Sequence, residues 1–439
     1  MPIRITNNIK KESNPRYGRI PKIVVVVILG FADVVISLLL VPSGIKNVRY
    51  LSSADTSPIV AITKHTPASL TANALSSVAV EASDTPVYST STVPPVALAT
   101  HLNAPSAIKA VYMTSWIASD KTLRERLVSQ VLAKHLNTIV LDVKDATSRT
   151  IFSVPDVETF IASLHERGIY VIGRLTTFED PAAAAAHPDW AVKNVSVVEN
   201  NGVMSTTSTV WKNKGGLAWI DAGATPFWDY MADLGKRSYA TGFDELNFDY
   251  VRFPSDGDMS RVYYPYSHGK SKAEVINNFF SYLDTTFHPL GIPISADLFG
   301  ETTTDKDDMG IGQVLENALR HFDYVDPMVY PSHFANGWDG WKNPAEHPYE
   351  IIQYSMGHAV NRSKILSTSE GTTTTMKLAE LRPWLQAFDL GAKYTPFMVD
   401  EQIRATNNVG LNGWLLWNAG NVYNVNSFSE ISTTITARN

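Results

Sequence analysis

The sequence predicts an α/β protein whose folded part is a (β/α)8 barrel, the TIM-barrel fold. From residue 107 onward, short runs rich in β-branched and aromatic residues alternate with helix-like segments. Eight such runs are present, the number that closes a barrel. Several of them end in polar or charged residues, as barrel strands do beside an active site. A length of 439 residues allows one barrel with long insertions and N-terminal additions.

The predicted elements follow one another in strand-helix order. The strands lie near residues 110–116, 138–143, 169–174, 243–251, 292–297, 324–330, 381–388 and 413–418. The helices lie near residues 121–135, 157–167, 226–239, 273–287, 311–322, 349–361 and 399–408. The turn His165-Glu166-Arg167-Gly168, basic and then glycine, is typical of a helix end.

Two connections, after Arg174 and after Pro331, are longer than a barrel needs. Both leave the C-terminal ends of strands, so we expect them to form the walls of a cleft. They carry tryptophans at positions 190, 211, 219, 338 and 341. These rings either stack on the apolar faces of sugars or pack in small cores of the insertions.

Composition excludes several classes of protein. The formal net charge is -6 with no basic stripe, which argues against a nucleic-acid partner. There is no cysteine, so disulfides, thiol catalysis and thiolate zinc sites are excluded. The acids at 305, 307 and 308 lack the spacing of a calcium loop, and Gly310-x-Gly312 is too short for a phosphate loop. We therefore predict no metal or cofactor.

The N-terminus is typical of a membrane anchor. Residues 1–22 are basic, and residues 23–41 are almost wholly apolar apart from Asp33. About 19 apolar residues match a bilayer core, and a basic flank stays in the cytoplasm. We predict a cytoplasmic segment at 1–22 and a single transmembrane signal-anchor helix at 23–41, with the rest of the chain extracytoplasmic. A cleaved signal peptide is the alternative.

Residues 42–106 are rich in Ser, Thr, Ala, Val and Pro and carry few charges or aromatic rings. Such a composition cannot bury a core. We predict a disordered linker at 42–106 that joins the membrane helix to a barrel domain at 107–439.

The most informative stretch is 243–254, Phe-Asp-Glu-Leu-Asn-Phe-Asp-Tyr-Val-Arg-Phe-Pro. Its alternation puts Glu245, Asn247 and Asp249 on one face of a strand and apolar residues on the other. In a barrel that polar face points inward. A carboxylate at the C-terminal end of such a strand, here Asp249, is a candidate for catalysis.

Asp297 repeats this arrangement at the end of the next strand, where it shares a face with Ser295. Neighbouring strands lie about 4.8 Å apart, so the two carboxyls can meet over the barrel mouth. Their proximity and burial would raise one pKa. Two acids around a glycosidic bond are the usual machinery of glycoside hydrolysis, and a short separation favours the retaining route. The alternative is a buried ion pair with Arg174 or Arg252.

Further polar residues fall at the ends of predicted strands or in the loops that follow them, where substrate hydroxyls need donors and acceptors. The candidates for substrate binding are Asp142, Lys144, Arg174, Asn247, Arg252, Tyr330, His333, Trp338 and Asn418. Asp142 and Lys144 have the alternative of pairing with each other. Tyr330 and His333 have the alternative of packing beneath the following insertion.

Together these segments resemble a family of bacterial glycoside-hydrolase-type TIM barrels, first catalogued as a domain of unknown function. The resemblance spans about residues 111–423. It is carried by Val-Tyr-Met-Thr at 111–114, Leu-Asp-Val-Lys-Asp at 141–145, Asn-Phe-Asp-Tyr-Val-Arg-Phe-Pro at 247–254, Ser-Ala-Asp-Leu-Phe-Gly at 295–300, Pro-Met-Val-Tyr-Pro-Ser-His at 327–333 and Trp-Leu-Leu-Trp-Asn at 414–418.

The resemblance implies a barrel distantly related to amylase-like glycosidases, with Asp249 as nucleophile and a fifth-strand acid as proton donor. The donor is Asp297 or Glu301, four residues on. Amylase-like enzymes carry an arginine two residues before the nucleophile, where this chain has Asn247. Arg252 is the candidate to supply that charge. Asp326, a third acid nearby, is set aside.

The resulting prediction is a membrane-anchored extracytoplasmic glycoside hydrolase. It acts through a carboxylate pair on a polysaccharide or cell-envelope glycan. The alternative is a non-catalytic carbohydrate-binding barrel at the cell surface, which the departure at Asn247 favours. A third reading is a structural envelope protein, which would show no carboxyl pair within reach of a cleft.

Overall fold

The computed structural model describes residues 99–145, 154–200, 203–369 and 377–423. The predicted basic segment, the apolar run at 23–41 and the linker up to residue 98 lie outside these ranges. Within the ranges, no helix is both long and apolar enough to cross a bilayer.

The described chain alternates strands and helices. The strands are β1 (Lys109–Met113), β2 (Thr138–Lys144), β3 (Tyr170–Thr176), β4 (Lys193–Asn200), β5 (Val203–Val210), β6 (Glu245–Asp249), β7 (Val262–Tyr263), β8 (Ile294–Phe299), β9 (Tyr324–Met328), β10 (Glu380–Leu381), β11 (Trp384–Gln386) and β12 (Trp414–Trp417). The α-helices are α1 (Ser115–Ser119), α2 (Lys121–Ala133), α3 (Val157–His165), α4 (Pro181–Ala186), α5 (Thr225–Thr241), α6 (Lys272–Phe287), α7 (Leu315–His321), α8 (Pro348–Ser369) and α9 (Pro396–Asn408).

The parallel strands close into a barrel. Their order is β1, β2, β3, β6, β8 and β9, then β10 with β11, then β12, which pairs again with β1. β10 and β11 both pair with β9, so they are two halves of one barrel position, interrupted at Arg382 and Pro383. Eight parallel positions with helices confirm the predicted (β/α)8 barrel.

Two apolar shells hold the barrel together, because strand side chains alternate between its faces. Ala110 and Tyr112 of β1 point into the interior cluster, whereas Val111 and Met113 pack in the larger cluster that also contains helix residues. Burying both faces of a parallel sheet explains why its strands read as nearly continuous apolar runs.

Local sequence signals set the helix ends. The side chain of Asp120 caps α2 by accepting the N–H groups of Thr122 and Leu123 at 2.8 and 3.0 Å. Gly168, two residues beyond the C-cap of α3, adopts φ +71°, as the predicted helix-end turn requires. The helix expected at 311–322 is shorter, Leu315–His321, and the one expected at 349–361 extends to Ser369.

The insertion after β3 contains an antiparallel hairpin that was not predicted. β4 pairs with β5 over eight residues each, and β7 adds two residues to the other edge of β4. Asn201-Gly202 stands between the two long strands in the sequence, which is a strong hairpin signal.

The segment before β1 packs against the N-terminal ends of the barrel strands. The Leu102 N–H donates to Asp244 Oδ1 at 2.7 Å, and the His101 ring stacks on Tyr239 at 3.8 Å. Asp244 precedes β6 and also accepts the Val171 N–H at 2.8 Å. The contacts of the folded domain therefore begin a few residues before the predicted boundary at 107.

Candidate active site

Asp249 is the last residue of β6 and lies at the barrel mouth. Its Oδ2 accepts from Nε and Nη2 of Arg174 at 3.1 and 2.5 Å, and its Oδ1 accepts the Tyr250 N–H at 2.6 Å. Tyr250 adopts φ +55°, a conformation unfavourable for a bulky residue. Three hydrogen bonds from Arg174 and the Tyr250 backbone thus hold the Asp249 carboxyl group in place.

Arg174, from the neighbouring strand β3, lies within 4.0 Å of three acids at the barrel mouth. Its Nη1 donates to Asp142 Oδ1 at 2.8 Å, and its Nε lies 4.0 Å from Asp297 Oδ2. The Tyr112 hydroxyl donates to the other oxygen of Asp142 at 2.5 Å. Burial raises the pKa of Asp142, although Arg174 opposes the shift.

Asp297 is more completely buried than Asp249, with 1% of its surface exposed against 5%. Its Oδ1 accepts from Asn247 Nδ2 at 2.9 Å and from the Trp384 indole N–H at 2.7 Å. Burial raises the pKa of Asp297 well above its usual range, and the charges of Asp249 and Asp326 raise it further. Its carboxyl therefore retains a proton at pH values where an exposed aspartate is ionised.

Below this layer a second arginine pairs with two further acids. Arg382 donates to Asp326 through Nε and Nη2 at 2.9 and 2.8 Å, and its Nη2 donates to Glu245 at 2.6 Å. The Ser295 hydroxyl also donates to Glu245 at 2.6 Å. Burial is the main cause that raises the pKa of Asp326 to about 6.

The barrel interior therefore holds more acids than bases. The buried acids in contact with Arg174 or Arg382 are Asp142, Glu245, Asp249, Asp297 and Asp326. Two arginine charges cannot neutralise five carboxylates, and unpaired buried charge is costly. The excess negative charge is removed if some of these carboxyl groups stay protonated, and the raised pKa of Asp297 is consistent with this.

A cleft of about 600 Å3, part of it open to solvent, lies above this network. It is lined by Asp249, Tyr250, Arg252, Phe299, Gly300, Glu301, Met328, Tyr330, His333 and Phe334. Two acids, Asp249 and Glu301, line the cleft. Asp297 is not among the lining residues. The third reading, a structural envelope protein without acids at a cleft, does not fit this arrangement.

Three of the predicted substrate-binding residues also line the cleft: Arg252, Tyr330 and His333. Burial lowers the pKa of His333 to about 3, so its ring is neutral at neutral pH. Its edge-to-face contact with Tyr330 has a ring separation of 5.1 Å. Tyr330 and His333 thus pack against each other and also line the cleft, so the two alternatives do not exclude one another.

The alternative pairing of Asp142 with Lys144 is wrong. Lys144 lies 3.0 Å from Asp180 and donates to the Thr176 carbonyl at 2.5 Å. Asp142 pairs with Arg174 instead. The strand pairing shifts between Asp142 and Lys144, which separates their environments. Neither residue is among those that line the cleft.

Two other candidates, Asn247 and Asn418, make hydrogen bonds within the protein. Asn247 points into the interior, where its Nδ2 donates to Asp297 and lies 3.3 Å from Asp326. Asn418 Nδ2 donates to the Ala387 and Val422 carbonyls at 2.6 and 2.8 Å, so it organises the loop after β12.

Trp338 is outside the cleft lining and packs on Phe334 and Tyr354 at 4.7 and 5.0 Å between ring centroids. The other insertion tryptophans also pack locally: Trp190 with His187, Trp211 through a hydrogen bond to the Asp258 carbonyl, Trp219 beneath Arg252, and Trp341 with His347. Packing within the insertions therefore accounts for these rings.

Sequence reasoning missed Tyr112, Arg382, Trp384 and Trp417 as residues of the site. Trp417 stacks on Tyr112 at 4.1 Å, and the Arg174 guanidinium lies 5.1 Å from the Trp417 ring. Period-two alternation could have found Tyr112 and Trp384, each on the inward face of its strand. Within the described ranges no group of three histidine or acidic side chains is arranged to hold a metal ion.

Comparison with known proteins adds a family match. Residues 110–423 match a family described as "Putative glycosyl hydrolase domain". The match runs from within β1 to beyond β12 and so covers the barrel. Among curated proteins, none matches this chain.

Solved structures show weaker similarity. A hypothetical protein from Ruminiclostridium thermocellum ATCC 27405 is 28% identical over 46% of this chain and 98% of its own, with a TM-score of 0.34. The glycoside hydrolase domain of PgaB (BpsB) from Bordetella bronchiseptica is 14% identical over 71% and 94%, with a TM-score of 0.49. The α-galactosidase TtGalA from Thermus thermophilus is 13% identical over 73% and 60%, with a TM-score of 0.44.

Proposed function

Since the chain belongs to this family of glycosyl hydrolase domains, we propose that it is a membrane-anchored, extracytoplasmic glycoside hydrolase. It cleaves O-glycosyl bonds of a polysaccharide or cell-envelope glycan through a pair of carboxyl groups. The observation that carries this proposal is that Asp249 and Glu301 line one cleft at the C-terminal end of the barrel.

Asp249 acts as the nucleophile. The contacts with Arg174 and the Tyr250 N–H hold the attacking carboxyl group in a fixed position at the end of β6. Arg174 also fills the role left open by the departure at Asn247. The arginine beside Asp249 comes from β3, and Arg252 makes no ion pair with Asp249 among the described residues. The lack of an arginine at position 247 therefore no longer favours a binding barrel.

Glu301 is the proton donor. Glu301 lines the cleft, whereas Asp297 is 1% exposed, is not among the lining residues, and accepts hydrogen bonds from Asn247 and Trp384 at Oδ1. A donor must reach the glycosidic oxygen, and this access favours Glu301. Asp297 keeps its proton and limits the negative charge beneath Asp249.

The route is retaining. Glu301 protonates the leaving oxygen while Asp249 attacks the anomeric carbon, so the C–O bond breaks as a glycosyl ester forms. Glu301 then takes a proton from the water that hydrolyses this ester. Support comes from the origin of both groups: Asp249 ends β6, and Glu301 follows the neighbouring strand β8 by two residues. Neighbouring strands favour the short separation of a retaining pair.

The test uses full-length protein in mild detergent, beside Asp249→Asn and Glu301→Gln. Polysaccharides and cell-envelope glycans are screened for released sugar, and dinitrophenyl glycosides provide leaving groups that need no proton. We expect Asp249→Asn to lose activity on every substrate. Glu301→Gln loses about 10²–10⁴-fold in kcat/KM on glycans but little in kcat/KM on dinitrophenyl glycosides, whose first step needs no proton donor.

Proton NMR of the first product formed reports retention or inversion at the anomeric carbon. Equal release by wild type and Asp249→Asn would remove Asp249 from the mechanism. If both proteins bind glycan but release no sugar, the result would favour the carbohydrate-binding barrel.

The proposed location rests on the sequence of residues 1–41 alone. Cell fractionation should place the protein in the membrane, and protease added outside the membrane should digest the barrel domain. The intact mass distinguishes an uncleaved anchor from a cleaved signal peptide.

A further inference from the structure

Arg252 is a buried cation that lines the cleft and has no acidic partner. It is 4% exposed, and no described carboxylate lies within ion-pair distance of it. This distinguishes it from Arg174 and Arg382, which each contact at least two acids. An unpaired buried charge is costly unless another group compensates it.

Aromatic rings hold the Arg252 side chain in place. Its guanidinium carbon lies 4.5 Å from the ring centre of Phe299, 4.8 Å from that of Trp219 and 5.5 Å from that of Tyr250. Such contacts attract a cation and fix the plane of the guanidinium. The charge is therefore preorganised before any ligand arrives.

One side of the guanidinium is anchored and the other is available. Nη1 donates to the Phe253 carbonyl at 3.1 Å and to Ser255 Oγ at 3.3 Å. Among the described residues, none accepts a hydrogen bond from Nε or Nη2. These two nitrogens form the edge of arginine that binds a carboxylate with two parallel hydrogen bonds.

The remaining charges of the cleft lining define what this edge can accept. Arg252 is the one Lys or Arg of the lining, and His333 is neutral because burial lowers its pKa to about 3. The carboxylate of Asp249 would repel an anionic sugar group placed beside it in the cleft. An anion on the substrate is accommodated only where it meets the free edge of Arg252.

We propose that the substrate is an acidic glycan and that Arg252 binds a carboxylate carried by one of its sugars. This inference rests on the proposed hydrolase function and adds the chemical class of its substrate. The partner is thus a uronic acid or another carboxylated sugar, and neutral glycans are poorer substrates.

The first measurement compares each acidic polysaccharide with its carboxyl-reduced form, which has the same linkages but neutral sugars. Full-length wild type should hydrolyse the acidic form about 10- to 100-fold faster in kcat/KM, the value expected for a charged hydrogen-bonded contact. Arg252→Gln should lose this preference, because its kcat/KM falls about 10- to 100-fold further on the acidic form than on the reduced form. Arg252→Lys should retain part of the preference, since it keeps the charge without the fork.

Affinity electrophoresis gives a readout that needs no turnover. Gels containing acidic polysaccharide should retard full-length wild type more strongly than gels containing the reduced form. Selective retardation without hydrolysis would support the acidic ligand while refuting the hydrolase. Equal retardation, or none on either gel, would overturn the inference, and so would equal hydrolysis of the two forms. An equal loss by Arg252→Gln on both forms would make Arg252 a structural residue.

Discussion

Replacing Asp297 with asparagine separates the protonation of this residue from its packing. The new amide keeps an oxygen that can accept from Asn247 and Trp384, which lie 2.9 and 2.7 Å from Oδ1. The substitution removes a titrating group but introduces no cavity. We therefore expect Asp297→Asn to fold, and to differ from wild type chiefly in how its stability depends on pH.

The direction of that difference follows from the raised pKa of Asp297. Above the usual pKa of an aspartate, the unfolded chain releases a proton that the folded protein retains, so stability falls as pH rises. Its full contribution is present at lower pH and is lost as pH climbs toward the raised value. One proton corresponds to about 1.4 kcal/mol per pH unit. Between pH 5 and pH 6, wild type should lose about 1.4 kcal/mol relative to Asp297→Asn.

Urea unfolding followed by tryptophan fluorescence measures this difference. The control is Asp233→Asn, because the Asp233 side chain is 68% exposed and should give the pH dependence of wild type. If wild type and Asp297→Asn change stability in parallel between the two pH values, Asp297 is ionised in the folded protein. The inference that Asp297 is protonated in the folded protein would then be wrong.

The same variant also tests the choice of proton donor. With Glu301 as donor, Asp297→Asn should keep kcat/KM on glycans within about tenfold of wild type, because the carboxyl it replaces is not the donor. If kcat/KM falls about 10²–10⁴-fold on glycans but is kept on dinitrophenyl glycosides, the donor is Asp297.

Two further substitutions test the framework of the site. Arg382→Met leaves two buried acids without their cation and should destabilise the fold by about 3–5 kcal/mol in urea unfolding, whereas the exposed Arg404→Met should stay within about 0.5 kcal/mol. A small effect of Arg382→Met would mean that these acids are already neutral. Gly300→Ala places a Cβ 2.4 Å from the Met328 carbonyl oxygen, so it should cost about 1–3 kcal/mol and lower kcat by shifting the adjacent donor. Its control is Gly357→Ala, where the helix leaves room for a methyl group, and activity should be unchanged. Unchanged activity in Gly300→Ala would argue against Glu301.

The sequence was sufficient to predict the barrel and one polar face of it. The alternation in residues 243–251 correctly predicted that Asp249 lies on the inward face at the barrel mouth, because a strand has a fixed period of two. The same rule placed Asp297 inside. It could not show which of these acids reaches the cleft, because that depends on how the loops after the strands pack, and so it could not show that Glu301 lines the cleft.

Ion-pair partners were also beyond the reach of sequence reasoning. Arg382 meets Glu245 across 137 positions, from an interrupted strand with Pro383 in its middle. A short strand broken by proline has little periodicity to read. The partner of Asp249 depends on strand order as well. β3 lies beside β6 in the barrel, so Arg174 reaches Asp249. Arg252 instead packs against the rings of Trp219, Tyr250 and Phe299.

The contacts before β1 have a consequence for the direction in which the cleft faces. Leu102 is bound at the N-terminal ends of the strands, next to Asp244, while the cleft opens at their C-terminal ends. The described chain therefore enters the barrel at one end, and the cleft opens at the other. Residues 101 and 102 therefore lie away from the mouth of the cleft, and the segment that leads into β1 leaves the entrance for a polymer chain clear.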